Sequence, residues 1–264
     1  MSIITLTTDF GTTDGYVGAM KGVILNQAPQ ATVVDIAHDI PAQDIEAGAW
    51  CLATCWRYFP KGTLHVVVVD PGVGSERQAL IIEADGQYLI GPDNGVFTHP
   101  LRRAGQFTVR RFHSDFHLPD SLSATFHGRD IFAYAAAVIA SGERGWTDIT
   151  EPAEEFTLLA VSRPEYGDTT IKGSIIHVDR YGNLITNIEG EKLPKNAQWI
   201  IRVGGADLAV RELSHTYADV DQGRPVALIG SSGYLEIAVC GGSAWRVFQT
   251  EPGAKITMRR LLRD

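Results

Sequence analysis

The chain has 264 residues, enough for one large domain or two modest ones, and its 44% hydrophobic and 20% charged residues are ordinary for a folded globular protein. A formal net charge of -8 argues against a nucleic-acid binder, which needs a basic face for phosphates, and suits a cationic small substrate. No apolar run approaches the roughly 20 residues of a membrane span, and the amino terminus lacks the basic stretch of a signal peptide.

Residues 3–8 are apolar and β-branched, a predicted strand. The polar loop Asp9-Phe10-Gly11-Thr12-Thr13-Asp14-Gly15 leads into a helix through about Asn26, with Thr13 or Asp14 as its N-cap and Val17, Met20 and Ile24 on one face. Asp9 and Asp14 either brace and cap this loop or form a polar site. Residues 32–36 read as a second strand, followed by Ala37-His38-Asp39. A long helix is expected from about Asp44 to Tyr58, ended by Pro60 and Gly62. Cys51 and Cys55 fall four apart on that helix without a second Cys/His pair, as buried thiols do. With Cys240 they make an odd count, which points to a reducing cytoplasm.

Residues 64–77 hold four successive valines and then Asp70-Pro71-Gly72. A strand without polar alternation is buried on both faces, as in a largely parallel sheet, and Pro71 and Gly72 turn the chain where it ends. In open α/β sheets ligands bind beyond the carboxyl ends of strands. Asp70 sits there, with Arg77 seven residues on; its alternative role is to cap its own turn. Strands at 79–84 and 87–91 form a hairpin around Asp85-Gly86, making the sheet mixed. The turn Gly91-Pro92-Asp93-Asn94-Gly95 opens a helical segment, and residues 107–112 form another strand. Phe126-His127-Gly128-Arg129-Asp130 opens a helix with its body at 132–141, placing His127 just before a helix N-terminus, where the ring tends to stay neutral.

Glu151-Pro152 and residues 163–168 read as connectors. Beyond them come short strands with turns at 171–178, 184–188, 198–203, 206–211, 226–230, 234–239 and 255–260. The expected architecture is an α/β N-terminal domain with a mixed, mostly parallel sheet (1–165), and a small all-β, barrel-like C-terminal domain (170–264).

The whole chain resembles the adenosine-forming S-adenosylmethionine (SAM) hydrolases, or SAM hydroxide adenosyltransferases, relatives of the fluorinating and chlorinating SAM enzymes. The resemblance is carried by Thr7-Thr8-Asp9-Phe10-Gly11 with Asp14, Val34-Asp35-Ile36-Ala37-His38, Val69-Asp70-Pro71-Gly72-Val73-Gly74, Gly91-Pro92-Asp93-Asn94-Gly95 and Phe126-His127-Gly128-Arg129-Asp130. It continues in Asp179-Arg180-Tyr181-Gly182-Asn183, Thr186-Asn187 and Ser231-Ser232-Gly233-Tyr234-Leu235. It implies hydrolysis of SAM to adenosine and L-methionine by water attacking ribose C5′, with no cofactor and no metal. Asp70, Arg77 and His127 match the water-activating set. Asp9 matches the ribose-binding aspartate, Asp14 the methionine end, Asp179 the ammonium contact and Asn183 a reader of the adenine edge. Tyr217 matches an adenine-stacking aromatic, and Ser231 a carboxylate contact. Ser232 replaces an arginine of the fluorinating branch. A tyrosine stands in that branch where this chain has Asp70, and a carboxylate there favours water over halide. The resemblance also implies a homotrimer with SAM between the N-terminal domain of one subunit and the C-terminal domain of the next. Other readings are a SAM-dependent halogenase, a metal-dependent hydrolase built on Asp9, Asp35, His38, Asp39, Asp70, Asp93 and His127, and a SAM-binding protein without turnover.

Overall fold

The computed structural model describes residues 2–118, 122–194, 197–210 and 212–261. The chain divides into two compact units, residues 1–159 and 160–264, a few residues before the break expected from composition.

The first unit is built on one mixed sheet. β1 (Ile3–Thr8), β2 (Thr32–Ala37) and β3 (Leu64–Val68) alternate with α1 (Tyr16–Gln27) and α2 (Ile45–Cys55) and pair in parallel. β4 (Ala79–Ala84) and β5 (Gln87–Pro92) form the hairpin, and β5 runs parallel to β3. After α3 (Thr98–Arg103), the antiparallel β6 (Phe107–Phe112), α4 (Tyr134–Ser141) and β7 (Thr150–Pro152) complete the order β2-β1-β3-β5-β4-β6-β7.

β3 explains its own sequence. Val66 and Val68 pack with Ile4, Leu6, Met20 and Phe132 on one face of the sheet, and Val67 with Leu52, Trp56, Leu80 and Leu89 on the other. A strand covered by apolar layers on both sides has no position for a polar alternation.

Several local expectations change. Neither Thr13 nor Asp14 caps α1: the cap is Gly15, without a side-chain bond. The helix begins too late for their oxygens to meet its first free N–H groups. Asp44 does cap α2, accepting from Ala47 N at 2.9 Å, but the helix stops at Cys55 and a 3₁₀ turn carries the chain through residues 56–58. Glu151-Pro152 lies in β7, at the sheet edge, where a proline costs no ladder bond. Residues 128–133 form a π-helical turn before α4.

In the second unit β8 (Glu165–Tyr166), β9 (Thr170–Val178), β10 (Leu184–Glu189), β11 (Gln198–Val203), β12 (Ala206–Val210), β13 (Pro225–Ile229), β14 (Tyr234–Val239) and β15 (Lys255–Leu261) form a nearly closed, barrel-like antiparallel sheet. The order is β12-β11-β15-β9-β10-β14-β13, with β8 paired to β9, so the expected connector at 163–168 contains a short strand. Residue 211, the expected end of the 206–211 strand, lies outside the described residues. A short helix α5 (Ala244–Phe248) adds to a core that includes Ile175, Trp199, Leu235 and Met258.

Candidate active site

β3 delivers the chain to its carboxyl end at Val69-Asp70. Asn94 Nδ2 donates to Val69 O at 2.8 Å, which ties the turn after β5 to this strand end. Val73 N donates to Asp70 O at 3.2 Å, so the chain turns as Pro71-Gly72 dictate. The loop then brings Arg77 back over Asp70. Arg77 Nε donates to Asp70 Oδ1 at 3.0 Å, and one terminal nitrogen donates to Asp70 Oδ2. That fork is buried, with side-chain exposures of 5% for Asp70 and 10% for Arg77. A buried carboxylate of this kind needs such a paired cation.

The same terminal nitrogen of Arg77 lies 2.9 Å from Nδ1 of His127, fifty residues away. A guanidinium can only donate, so Nδ1 accepts, and a neutral ring then carries its hydrogen on Nε2. Burial first, and the Arg77 cation second, push the imidazole below its ordinary value of 6.5, against the opposing pull of Asp70 and Asp130. Both effects keep the ring neutral near pH 7.

Two glycines make this assembly possible. A Cβ on Gly128 would stand 3.2 Å from Val68 Cγ1 and 3.4 Å from Phe10 Cζ, so its bare backbone lets the helix start press onto β3. A Cβ on Gly74, which has φ +79°, would stand 2.6 Å from Ala124 O, where the Arg77 loop meets the segment before His127. The π-helical turn adds an anchor: Asp130 O accepts from Leu118 N at 2.7 Å, and the fully buried Asp130 carboxylate accepts from Ser123 N and from Arg129.

Asp9 leaves β1 beside this cluster, its N–H directed at Val68 O at 3.4 Å. Its Oδ2 accepts from Gln43 N at 2.8 Å, and Gln43 holds φ +66°, an uncommon conformation for a residue with a side chain. Asp14 is exposed ahead of α1. The first unit thus joins Asp70, Arg77 and His127, with Asp9 at the neighbouring strand end. The acids and imidazoles of the metal reading do not converge: among the described residues, no three His, Cys, Asp or Glu groups could hold a metal ion. Burial pushes the Cys51 thiol up and that of Cys55 to about 12, so neither presents a thiolate.

In the second unit, the Asp179 carboxylate is held by its own turn, accepting from Tyr181 N, Asn183 N and Asn183 Nδ2 at 2.8–3.0 Å. Ser231 is exposed in the turn before β14. Tyr217 is 42% exposed, while its hydroxyl donates to Glu236 Oε1 at 2.6 Å. Glu236 is buried, and burial with the nearby Asp179 charge raises its pKa. Sequence reading passed over Glu236; its signal was one carboxylate inside the apolar run Tyr234-Leu235-Glu236-Ile237-Ala238-Val239.

Residues 4–149 match the SAM hydroxide adenosyltransferase N-terminal domain, and residues 173–257 its C-terminal domain. An (R)-S-adenosyl-L-methionine hydrolase of Methanocaldococcus jannaschii is 38% identical over 90% of this chain and 88% of its own length. One from Thermus thermophilus is 37% identical over 95% and 96%. A fluorinase of Actinoplanes is 25% identical over 98% and 97%, in an alignment of 291 residues that is longer than this chain. Among solved structures, an uncharacterized conserved protein from Thermotoga maritima superposes with a TM-score of 0.89 at 30% identity, covering 97% of this chain and all of the other. With both domain matches and this level of identity, the chain belongs to the SAM hydroxide adenosyltransferase family.

Proposed function

We propose that the protein hydrolyses SAM to adenosine and L-methionine, and that Asp70, Arg77 and His127 activate the attacking water. The observation carrying this reading is the single guanidinium that orients both a carboxylate and a neutral imidazole at the end of β3. The family's curated hydrolases, at 34–38% identity against 24–26% for its fluorinases, support water rather than halide as the nucleophile.

The leaving group is a neutral thioether and needs no general acid; the nucleophile is the difficulty, because bulk water is a poor one. Arg77 takes one lone pair from each oxygen of Asp70, and a carboxylate keeps further acceptor sites. Asp70 therefore accepts a hydrogen from the water, while the Nε2–H of His127 donates to the water oxygen. With these contacts made, the remaining lone pair of the water is aimed at C5′, in line with the C–S bond. As the C–O bond forms and the C–S bond breaks, the proton passes to Asp70 and then to solvent. The sulfonium cation and water give adenosine, methionine and one proton. No cofactor is required by this chemistry.

The relatives are named for the (R) sulfonium epimer, so that epimer is the expected substrate. Asp9 is assigned to the ribose hydroxyls, Asp14 and Asp179 to the methionine end, Asn183 to the adenine edge, Tyr217 to adenine stacking and Ser231 to the methionine carboxylate. A cytoplasmic homotrimer, with each SAM shared between subunits, completes the proposal; a strict monomer with full activity would refute that sharing. No helix among the described residues is long and apolar enough to cross a membrane.

The test is incubation with each SAM epimer, with and without chloride, and separation of the nucleosides. Adenosine alone is expected from the (R) epimer. Chlorodeoxyadenosine in excess of adenosine would make the protein a halogenase instead.

A further inference from the structure

The segment Val34-Asp35-Ile36-Ala37-His38 stands outside the water-activating cluster. Its pairing with β1 slips by one: Leu6 pairs with Asp35, but Thr7 pairs with Ala37, so Ile36 is an inserted residue. Such a bulge shifts the two-residue alternation of a strand and re-aims the side chains beyond it. Asp35 and His38, three apart, are thereby brought to the same side.

His38 is 7% exposed and makes three contacts there. Its Nδ1 lies 2.9 Å from the hydroxyl of the fully buried Thr8. Its Nε2 lies 3.0 Å from Asp35 Oδ1, off the line of a good hydrogen bond, so that contact is electrostatic. Its carbonyl accepts from Gly11 N at 2.7 Å. Asp35 is held in turn by Lys21 Nζ at 2.6 Å. Thr8 Oγ1 also accepts from Phe10 N at 3.3 Å. A carboxylate only accepts, so the ring hydrogen belongs on Nε2, facing Asp35. Nδ1 then accepts from the Thr8 hydroxyl, whose free lone pair takes the Phe10 N–H. Donors therefore point one way from the Phe10 N–H through Thr8 to the His38 ring, whose Nε2 faces Asp35, and Asp35 also accepts from Lys21.

We propose that His38 is a positioning residue for Asp9. It clamps the loop on both sides of that carboxylate, through Thr8 and Phe10 and again at Gly11, and so fixes it for the ribose hydroxyls. The inference rests on the proposed function, in which Asp9 binds ribose.

The experiment compares wild type, His38→Ala, His38→Asn and Thr8→Val in steady-state hydrolysis of SAM and of 2′-deoxy-SAM, with melting temperatures recorded for each. His38→Ala and Thr8→Val are each expected to raise KM for SAM roughly tenfold, the worth of one lost anchoring hydrogen bond, with kcat within about twofold. His38→Asn keeps an acceptor at the Nδ1 position and restores most of the loss. With 2′-deoxy-SAM, which lacks a hydroxyl that Asp9 holds, the KM values of all four proteins converge. A fall in kcat at constant KM, or a KM penalty that persists in full with 2′-deoxy-SAM, overturns the assignment. If His38→Ala does not fold, Thr8→Val carries the same readout. Wild-type protein that forms no adenosine overturns the proposed function and this inference with it; adenosine formed with a KM that Thr8→Val and His38→Ala leave unchanged overturns the inference alone.

Discussion

Nδ1 of His127 lies 2.9 Å from the guanidinium nitrogen of Arg77 that also holds Asp70, so one cation orients the acid and the imidazole together. The ring is left with a hydrogen on Nε2, which makes it a donor to water. In the proposed reaction, Asp70 is then the group that receives the proton.

Asp70→Asn is expected to lower kcat by roughly 10²–10⁴-fold, the usual worth of a positioned base, while SAM binding persists. The substitution also leaves the buried Arg77 with neutral partners, so a loss of about 3–5 kcal/mol in stability is expected alongside. Single-turnover rates and titration calorimetry on the folded fraction separate these effects. Loss of SAM binding with an unchanged residual rate would contradict the role given to Asp70.

Arg77→Lys keeps the charge but not the fork. An ammonium cannot hold both Asp70 oxygens and His127 Nδ1 in one plane, and it does not reproduce the guanidinium face lying 5.4 Å from the Phe132 ring. The expected result is a fall in kcat of about 10²-fold, with KM changed far less, because the water loses its orientation rather than SAM its contacts. An Arg77→Lys protein with wild-type kcat would sink the bridging role.

The pH dependence follows from His127. Burial and Arg77 push its pKa below 6.5, so the ring is more than half neutral at pH 6.5 and gains its proton as the pH falls below that value. Once protonated, it repels Arg77 and loses the acceptor at Nδ1. The kcat/KM profile should therefore be flat near pH 7 and fall on the acid side, with an inflection below the ordinary histidine value. His127→Asn should remove that limb along with most of the rate. An acid inflection above 6.5 in the wild type would contradict the geometry.

How much of this could be read from the chain depends on whether neighbours in space are neighbours in sequence. The valine run and Asp70-Pro71-Gly72 announce a buried strand and its end, because burial on both faces and a sharp turn each restrict local residue choice. The arrangement of Arg77 and His127 carries no such mark. They are fifty residues apart, and only the helix pressed onto β3 at Gly128 brings them together. The family resemblance named both, but the shared guanidinium and the direction of its hydrogen bonds come from the fold. The π-helical turn at 128–133 was invisible because its residues differ little from those of an α-helix. The misplaced cap of α1 is the opposite case: Thr13 and Asp14 have the right chemistry, and the helix starts too late to use it.

A second histidine sets the acid stability of the first unit. His65 is completely buried in β3, between the Thr5 hydroxyl at 2.8 Å from Nδ1 and Gln87 Oε1 at 2.8 Å from Nε2. The amide oxygen can only accept, so Nε2 carries the hydrogen and Nδ1 accepts from Thr5. The Thr5 hydroxyl donating to Nδ1 suits a neutral ring, and burial, opposed by the bond to Gln87, depresses its pKa to about 4. An unfolded histidine titrates near 6.5. Above that value neither state is protonated and the contribution is complete. As pH falls from 6.5 to 4 the unfolded chain takes up a proton that the folded one refuses, and stability declines by about 3 kcal/mol. His99, buried against Trp50 and also depressed to about 4, titrates over the same window and steepens the fall. Urea unfolding at pH 7.5, 6 and 5 measures it: the midpoint should drop across this series, and His65→Gln, which does not titrate, should flatten part of the slope. Equal midpoints at pH 7.5 and 5 would show that these rings do not stay neutral in the folded chain.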